Sequence, residues 1–189
     1  MNVETSIRKQ APELTDEELT NKLIGTEIPK MGKAVTDEKG WILYRFDKDT
    51  PKPAVSNCAG KCAETWPPAL TDGDPELDGI SSDLVGTVQR ADGTKQLTLA
   101  GWPLYRYIKD EKPGQWKGQG VGKTWFVVAP DGKRNVECLP PGVEAPSGSG
   151  GGEEAEAGKD EANKDEANKD EANKDEADKG ASGGGDYNY

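Results

Sequence analysis

The sequence predicts a mainly β protein: a small antiparallel β domain built from a tandem repeat, with short helices and a disordered C-terminal tail. Three observations predict this fold. Residues 40–49 recur at residues 101–110 with seven identities in ten positions, which indicates an internal duplication. Short runs of alternating side chains lie between glycine and proline turns, as is typical of antiparallel strands. The last 43 of the 189 residues form an acidic, low-complexity segment with too few apolar side chains to build a core.

Each copy of the repeat is predicted to form a strand, because successive side chains on a strand point to opposite faces. In the first copy, Tyr44 and Phe46 share one face, and Leu43 and Arg45 share the other. The equivalent residues of the second copy repeat this alternation: Tyr105, Tyr107, Leu104 and Arg106. Large aromatic rings of this kind can supply a core although only 32% of the chain is hydrophobic.

Residues typical of turns predict where further strands begin and end. Residues 85–90 and 95–99 are predicted to form a hairpin that the turn at residues 91–94, Ala-Asp-Gly-Thr, closes. Residues 124–129 are the most apolar strand candidate and end at a Pro-Asp-Gly turn. Strands this short, separated by frequent turns, favour an antiparallel architecture.

Two short helices are predicted from capping signals. Thr15 and Glu18 have the spacing of a capping box, which predicts a helix that Gly25 ends. A second helix is expected after the Ser56-Asn57 pair, either residue of which can cap it. Pro67 ends this helix because proline cannot continue the backbone hydrogen bonding.

The charge distribution separates an acidic tail from the rest of the chain. We predict a lead-in at residues 1–32, a duplicated β domain at 33–146 and a tail at 147–189. The copies within the domain span about residues 33–70 and 85–133. The tail holds 13 acidic residues and 5 lysines, so it carries most of the net charge of −11. Its five-residue unit, Lys-Asp-Glu-Ala-Asn, places no apolar stripe on a helix, and we predict a disordered spacer.

Composition excludes several classes of function. The chain contains no histidine, which excludes Ser-His-Asp triads, Cys-His nucleophiles and histidine-ligated zinc, copper or haem sites. Its acidic charge argues against a nucleic-acid partner, since such binders carry a basic face. No run approaches the roughly 18 consecutive apolar residues of a membrane-spanning helix. We therefore expect a protein that is not an enzyme and has no resident cofactor.

Cys58 and Cys62 lie four residues apart in the second predicted helix. This spacing brings their Cα atoms to about 6 Å on adjacent helical turns, within disulfide range. A structural disulfide is the favoured interpretation, and a thiolate metal site and a redox-active dithiol remain alternatives. The third cysteine, Cys138, is either free or paired between chains.

Several motifs occur in a recognisable order. Two Tyr-x-aromatic-x-x-Asp motifs lie at residues 44–49 and 105–110, and the cysteine segment leads into Trp66-Pro-Pro. A Trp125-Phe126 pair then precedes Pro-Asp-Gly at residues 130–132. In these motifs the chain resembles the bacterial "secreted repeat of unknown function" family, whose members are predicted lipoproteins, over roughly residues 33–133. The resemblance implies export and an N-terminal lipid anchor, and it implies no settled activity.

The recurring motif residues are the candidate functional residues. Asp49 and Asp110 either accept backbone N–H bonds in the turns after their strands or work together as acid and base in one cleft. The tryptophan, tyrosine and arginine pairs either pack in the core or line a groove for a flat ligand. The complete set is Trp41, Tyr44, Arg45, Phe46, Asp49, Trp102, Tyr105, Arg106, Tyr107 and Asp110.

A candidate site for weak calcium binding lies between the two copies. Asp74, Glu76 and Asp78 alternate ahead of Gly79, as in the first half of a calcium-binding loop. Val85 occupies the twelfth position, where a bidentate glutamate is required, so an EF-hand is excluded. Only weak calcium binding is predicted here.

Two functional hypotheses of different class follow. The first is an exported, lipid-anchored cell-surface protein that acts as a non-enzymatic binding module for an unknown protein or small ligand. Its contact with the membrane is expected only through a lipid anchor that this chain does not contain. The alternative is an extracytoplasmic redox or electron-transfer accessory that uses the cysteine pair or a recruited haem or copper.

Overall fold

The computed structural model describes residues 12–146, and the tail predicted to be disordered lies outside them. The predicted mainly β, antiparallel fold built from a repeat is confirmed. The strands are β1 (Lys22–Ile28), β2 (Gly32–Asp37), β3 (Tyr44–Phe46), β4 (Thr50–Pro51), β5 (Ala54–Val55), β6 (Leu70–Thr71), β7 (Glu76–Asp78), β8 (Val85–Gln89), β9 (Lys95–Leu99), β10 (Trp102–Tyr105) and β11 (Trp125–Val127). One α-helix, α1, spans Lys61–Thr65, and 3-10 turns span Ser82–Leu84 and Val121–Lys123.

The strands form three sheets. The largest has the order β11-β3-β10-β9-β6, and β8 pairs with β9 in the predicted hairpin. A second sheet has the order β2-β1-β7, in which β1 and β7 run parallel, and β4 pairs with β5. No helix within residues 12–146 is long and apolar enough to cross a membrane.

Two cores lie on opposite faces of the repeat strands. Tyr44 and Phe46 belong to an aromatic core, and Leu43 belongs to an aliphatic core. In the second copy, Tyr105 and Tyr107 join the aromatic core, and Leu104 joins the aliphatic one. The predicted alternation of faces is therefore correct for both copies.

The predicted helix between Thr15 and Gly25 is wrong. The capping contact forms, since the Thr15 backbone N–H donates to Glu18 Oε2 at 2.9 Å, but only a turn follows. The chain then extends into β1, whose residues pair with β2 on one side and β7 on the other. Leu23 is fully buried in the aliphatic core, so tertiary pairing and burial override a local helix signal.

The second helix begins later than predicted. Gly60, not Ser56 or Asn57, is the N-cap of α1, and no side chain caps the helix. The Asn57 amide instead donates to the Lys48 carbonyl at 2.7 Å, which keeps residue 57 in the preceding loop. Cys58 therefore precedes the helix while Cys62 lies on it.

Candidate functional site

The two repeats meet along β3 and β10. These strands pair antiparallel with Tyr44 directly opposite Tyr105. The two tyrosines are 61 residues apart, which is also the offset of the repeat. The repeats are therefore related by an approximate two-fold axis that passes between these two tyrosines.

Each tyrosine is hydrogen-bonded to the aspartate of the other repeat. The Tyr44 hydroxyl donates to Asp110 Oδ2 at 2.7 Å, and the Tyr105 hydroxyl donates to Asp49 Oδ2 at 2.6 Å. All four residues are buried. We call these two contacts the Tyr–Asp pairs. In each pair, the tyrosine of one copy of the motif bonds to the aspartate of the other copy.

The second carboxylate oxygen of each aspartate holds a loop. Asp49 Oδ1 accepts the Asn57 backbone N–H at 2.7 Å, and Asp110 Oδ1 accepts the Lys117 backbone N–H at 2.8 Å. Burial raises the pKa of both carboxyl groups, although the bonds from the tyrosines and the backbone oppose that shift. Burial also raises the pKa of both tyrosines. Each aspartate thus accepts a backbone N–H, but the donor lies eight or seven residues further along the chain rather than in the turn that directly follows the strand.

Four aromatic rings stack between the repeats in the order Phe46, Trp125, Trp66 and Tyr107. The successive ring centroids lie 4.2, 3.8 and 4.0 Å apart, and the two indoles are within 2° of parallel. We call this stack the aromatic column. Tyr44 meets Trp66 edge-on at 5.3 Å, and Tyr105 meets Trp125 edge-on at 5.1 Å. The column and the Tyr–Asp pairs therefore form one contiguous array with the symmetry of the repeat.

Gly118 allows the chain to lie close against this array. A Cβ at this position would lie 2.7 Å from the Trp66 ring and 2.8 Å from the Tyr44 ring. The Gly118 backbone N–H also donates to the Tyr44 hydroxyl at 3.3 Å. A side chain at residue 118 would therefore push this loop away from the array.

The two arginines of the repeat have different environments. The Arg45 guanidinium lies 3.6 Å from the centroid of the Trp102 ring and donates to the Gly132 carbonyl at 3.0 Å. Burial lowers its pKa to about 10, although Asp47 opposes the shift. Arg106 is half-buried and contacts Asp37 Oδ2 at 2.7 Å. Both arginines thus hold neighbouring elements in place.

A cleft of about 490 Å³ opens beside α1. Cys58 lies in its wall, and the predicted Cys58–Cys62 disulfide is present, with a Cα–Cα distance of 5.2 Å. We call this the cysteine cleft. Its walls are largely small and apolar: Ala54, Val55, Ala59, Ala63, Val88 and Ala91. Cys138 is free and exposed.

Arg90 joins the cysteine cleft to the aromatic core. Its guanidinium donates to Ser56 Oγ at 2.8 Å, to Gln96 Oε1 at 2.7 Å and to the Cys58 carbonyl at 2.8 Å. Ser56 Oγ in turn lies 2.7 Å from the Tyr105 hydroxyl. A continuous chain of hydrogen bonds thus runs from the cleft to the Tyr105–Asp49 pair.

The acidic residues proposed for calcium do not form a site. Asp74, Glu76 and Asp78 are all exposed, and Glu76 forms an ion pair with Lys22 at 3.8 Å. Within residues 12–146, no group of three His, Cys, Asp or Glu side chains lies close enough together to hold a metal ion. Glu76 and Asp78 lie at the two ends of β7, where strand alternation places both on the exposed face.

The structure brings six motif residues together in the aromatic column and the Tyr–Asp pairs, and it leaves the two tryptophans and the two arginines of the repeat outside them. Trp102 is buried under Arg45, and Trp41 is half-buried beside the turn at Asp37. The sequence analysis did not predict that Trp66 and Trp125 stack on each other. The Thr-Trp dipeptide that occurs at residues 65–66 and again at 124–125 could have indicated that the two tryptophans are equivalent in the two copies. No pattern in the sequence indicated the hydrogen bonds that link Arg90 through Ser56 to Tyr105.

Comparison with protein families agrees with this duplicated architecture. The family model described as "secreted repeat of unknown function" matches twice, at residues 25–70 and 86–129. The chain belongs to this family and carries two copies of its repeat, which supports an extracytoplasmic location. No curated protein and no solved structure matches the chain.

Proposed function

We propose that this protein is a non-enzymatic binding module, anchored by lipid at the outer surface of a bacterial cell, whose binding site is the cysteine cleft. The observation that carries the proposal is the contrast between the motif aromatics and the cleft. Tyr44 and Tyr105 are fully buried, so they serve the joint between the repeats rather than an open groove. The cleft is concave, apolar and open, as ligand sites generally are.

The walls of the cleft favour a short apolar segment of another surface protein as the ligand. They come from the β4–β5 hairpin, the disulfide loop and β8. Val55 contributes an apolar side chain that is 41% exposed. Arg90 ties the disulfide loop to β9 through its bonds to the Cys58 carbonyl and Gln96, so the site is held open before the ligand arrives.

Selection of displayed random peptides on the full chain tests the proposal. Selected peptides are expected to shift the amide NMR signals of residues 54–63 and 88–92. They should lose binding when Ala59→Trp or Val88→Trp fills the cleft. Val136→Trp, at an exposed position outside the cleft, is the matched control and should bind normally. Peptides that bind the Ala59→Trp and Val88→Trp variants with the same affinity as the unsubstituted protein would overturn the assignment.

The lipid anchor has its own test. Metabolic labelling of the natural precursor in its source cells with a fatty-acid analogue should place the label at the N-terminus of the exported protein. Release of an unlabelled protein into the medium would contradict the anchor and leave the cleft proposal standing.

A redox accessory is the second candidate, because Cys58, one half of the disulfide, lines the cleft. A dithiol that enters the cleft would exchange with Cys58–Cys62, leaving two protein thiols and an oxidised ligand. Thiol labelling after titration with a dithiol buffer should then show both cysteines reacting as a pair. Visible absorbance after addition of haem or copper tests the form of this hypothesis that uses a recruited cofactor.

A further inference from the structure

We propose that the aromatic column and the two Tyr–Asp pairs form a one-electron relay within the protein. The column carries an oxidising equivalent from Tyr107, at one end of the stack, to Tyr105 and Tyr44, and each of these gives its phenolic proton to its bonded aspartate. The relay uses no thiol, haem or copper and does not depend on the cysteine cleft. It therefore goes beyond both functions proposed above.

The column has the composition and the contacts of such a path. Indole and phenol are among the side chains most readily oxidised by one electron, and Tyr107, Trp66 and Trp125 stack in sequence at 4.0 and 3.8 Å. Rings in van der Waals contact exchange electrons rapidly because electron tunnelling weakens steeply with distance. Phenylalanine is far harder to oxidise, so Phe46 closes the other end of the path.

Tyr107 and Phe46 end the column and are 8% and 9% exposed, against 4% for Trp66 and 5% for Trp125. All four residues are buried, so an oxidant in solution takes an electron from the column by tunnelling rather than by contact. Because phenylalanine is hard to oxidise, Tyr107 is the end of the column at which the path begins, and the residue after it, Ile108, is 63% exposed.

The Tyr–Asp pairs supply the proton acceptor that a tyrosine needs. A phenol becomes strongly acidic when it loses an electron, and a carboxylate already hydrogen-bonded to it takes the proton without any movement of the chain. Tyr105 and Asp49 are placed for this transfer at 2.6 Å, beside Trp125. Tyr44 and Asp110 repeat the arrangement at 2.7 Å beside Trp66. The raised pKa of both aspartates makes them stronger proton acceptors.

The overall step is balanced. An outer-sphere oxidant, such as an oxidised metal complex, takes one electron from the column. Tyr105 or Tyr44 replaces that electron and loses its O–H proton to the aspartate, which leaves a neutral tyrosyl radical and a protonated carboxyl group. A one-electron reductant reverses the step, and the proton returns to the phenol.

Flash oxidation of the full chain tests the relay. The parent protein carries Tyr187→Phe and Tyr189→Phe, which leaves only the three tyrosines of the folded domain. A ruthenium polypyridyl sensitiser with a cobalt(III) ammine as electron scavenger supplies the oxidant. Freeze-quench electron paramagnetic resonance then detects radicals. The buried radical is defined as the component of the signal that Tyr44→Phe combined with Tyr105→Phe removes.

Substitutions that keep a ring but remove the indole decide the outcome. Trp66→Phe and Trp125→Phe should each reduce the yield of the buried radical. The double variant should reduce it further, to the level that the direct contact between Tyr107 and Tyr44 at 6.2 Å allows. Trp41→Phe, outside the column, should leave it unchanged. A parent without the buried radical, or a Trp66→Phe/Trp125→Phe double variant with the parent yield, would overturn the proposal.

A second pair of variants keeps the test decisive if an indole substitution prevents folding. Asp49→Asn and Asp110→Asn retain an acceptor for the tyrosine hydroxyl but remove the base. Together they should abolish the buried radical in a protein whose circular dichroism is that of the parent. Persistence of the radical in that folded double variant would equally reject the relay.

Discussion

At the scale of single residues, the Tyr–Asp pairs explain why both halves of the motif recur in each copy. A buried carboxylate is costly unless it is hydrogen-bonded, and each aspartate here receives a backbone N–H from its own repeat and a phenol from the other. Asp49 and Asp110 therefore connect a local turn to the joint between the repeats. Removing either partner leaves the other buried and incompletely bonded.

Tyr44→Phe is expected to lower the free energy of unfolding by about 1–3 kcal/mol, because Asp110 loses a buried donor. Denaturant unfolding of Tyr44→Phe, Asp110→Asn and the double variant measures the coupling between them. Tyr107→Phe is the matched control, since its hydroxyl forms no hydrogen bond within residues 12–146. Additive losses for Tyr44→Phe and Asp110→Asn would show that the pair does not act as a unit.

At the scale of elements, α1 depends on its attachments rather than on its own stability. The helix has five residues, buries none of them and lacks a side-chain cap. A helix of this length is unstable alone. The Cys58–Cys62 disulfide and the bond from Arg90 to the Cys58 carbonyl hold it against the core.

Cys58→Ser combined with Cys62→Ser should therefore loosen a local segment. Amide hydrogen exchange is expected to accelerate across residues 58–66 while β9 keeps its protection. The global loss should be about 2 kcal/mol, because the loop that the disulfide closes is short. Cys138→Ser, which removes the free exposed thiol, is the control and should change neither quantity. Faster exchange throughout the large sheet would instead show that the disulfide supports the whole fold.

At the scale of the whole molecule, strands and rings of both repeats pack into one sheet and one aromatic core, so we expect the repeats to unfold together. β3 of the first repeat lies between β10 and β11 of the second. The two indoles of the column come one from each repeat. A separated copy would expose these rings and leave its aspartate without the tyrosine of the other copy.

Residues 12–80 and 81–146, produced separately, are expected to be unfolded by circular dichroism and to regain native signal when mixed. The physical reason is the large apolar area that each half buries only against the other. The intact chain with a protease site inserted at Ser81, measured before cleavage, controls for disturbance of that exposed loop. Cooperative unfolding of the fragment 12–80 alone would refute this view.

Local patterns in the sequence were sufficient to predict three features: the opposite faces of Leu43 and Tyr44, the β8–β9 hairpin and the Cys58–Cys62 disulfide. Each depends on residues close together in the chain, where strand alternation, turn residues and cysteine spacing have direct geometric consequences. The recurrence of ten residues likewise predicted a duplicated domain.

Only the tertiary structure decided how the copies complete each other. Residues 22–28 became a strand because β2 and β7 pair with it, against a local helix signal. Tyr44 and Asp110 are 66 residues apart, and Trp66 meets Trp125 only because β3 and β10 place the repeats about a two-fold axis. Such contacts arise from packing between distant segments, and periodicity along one segment carries no information about them.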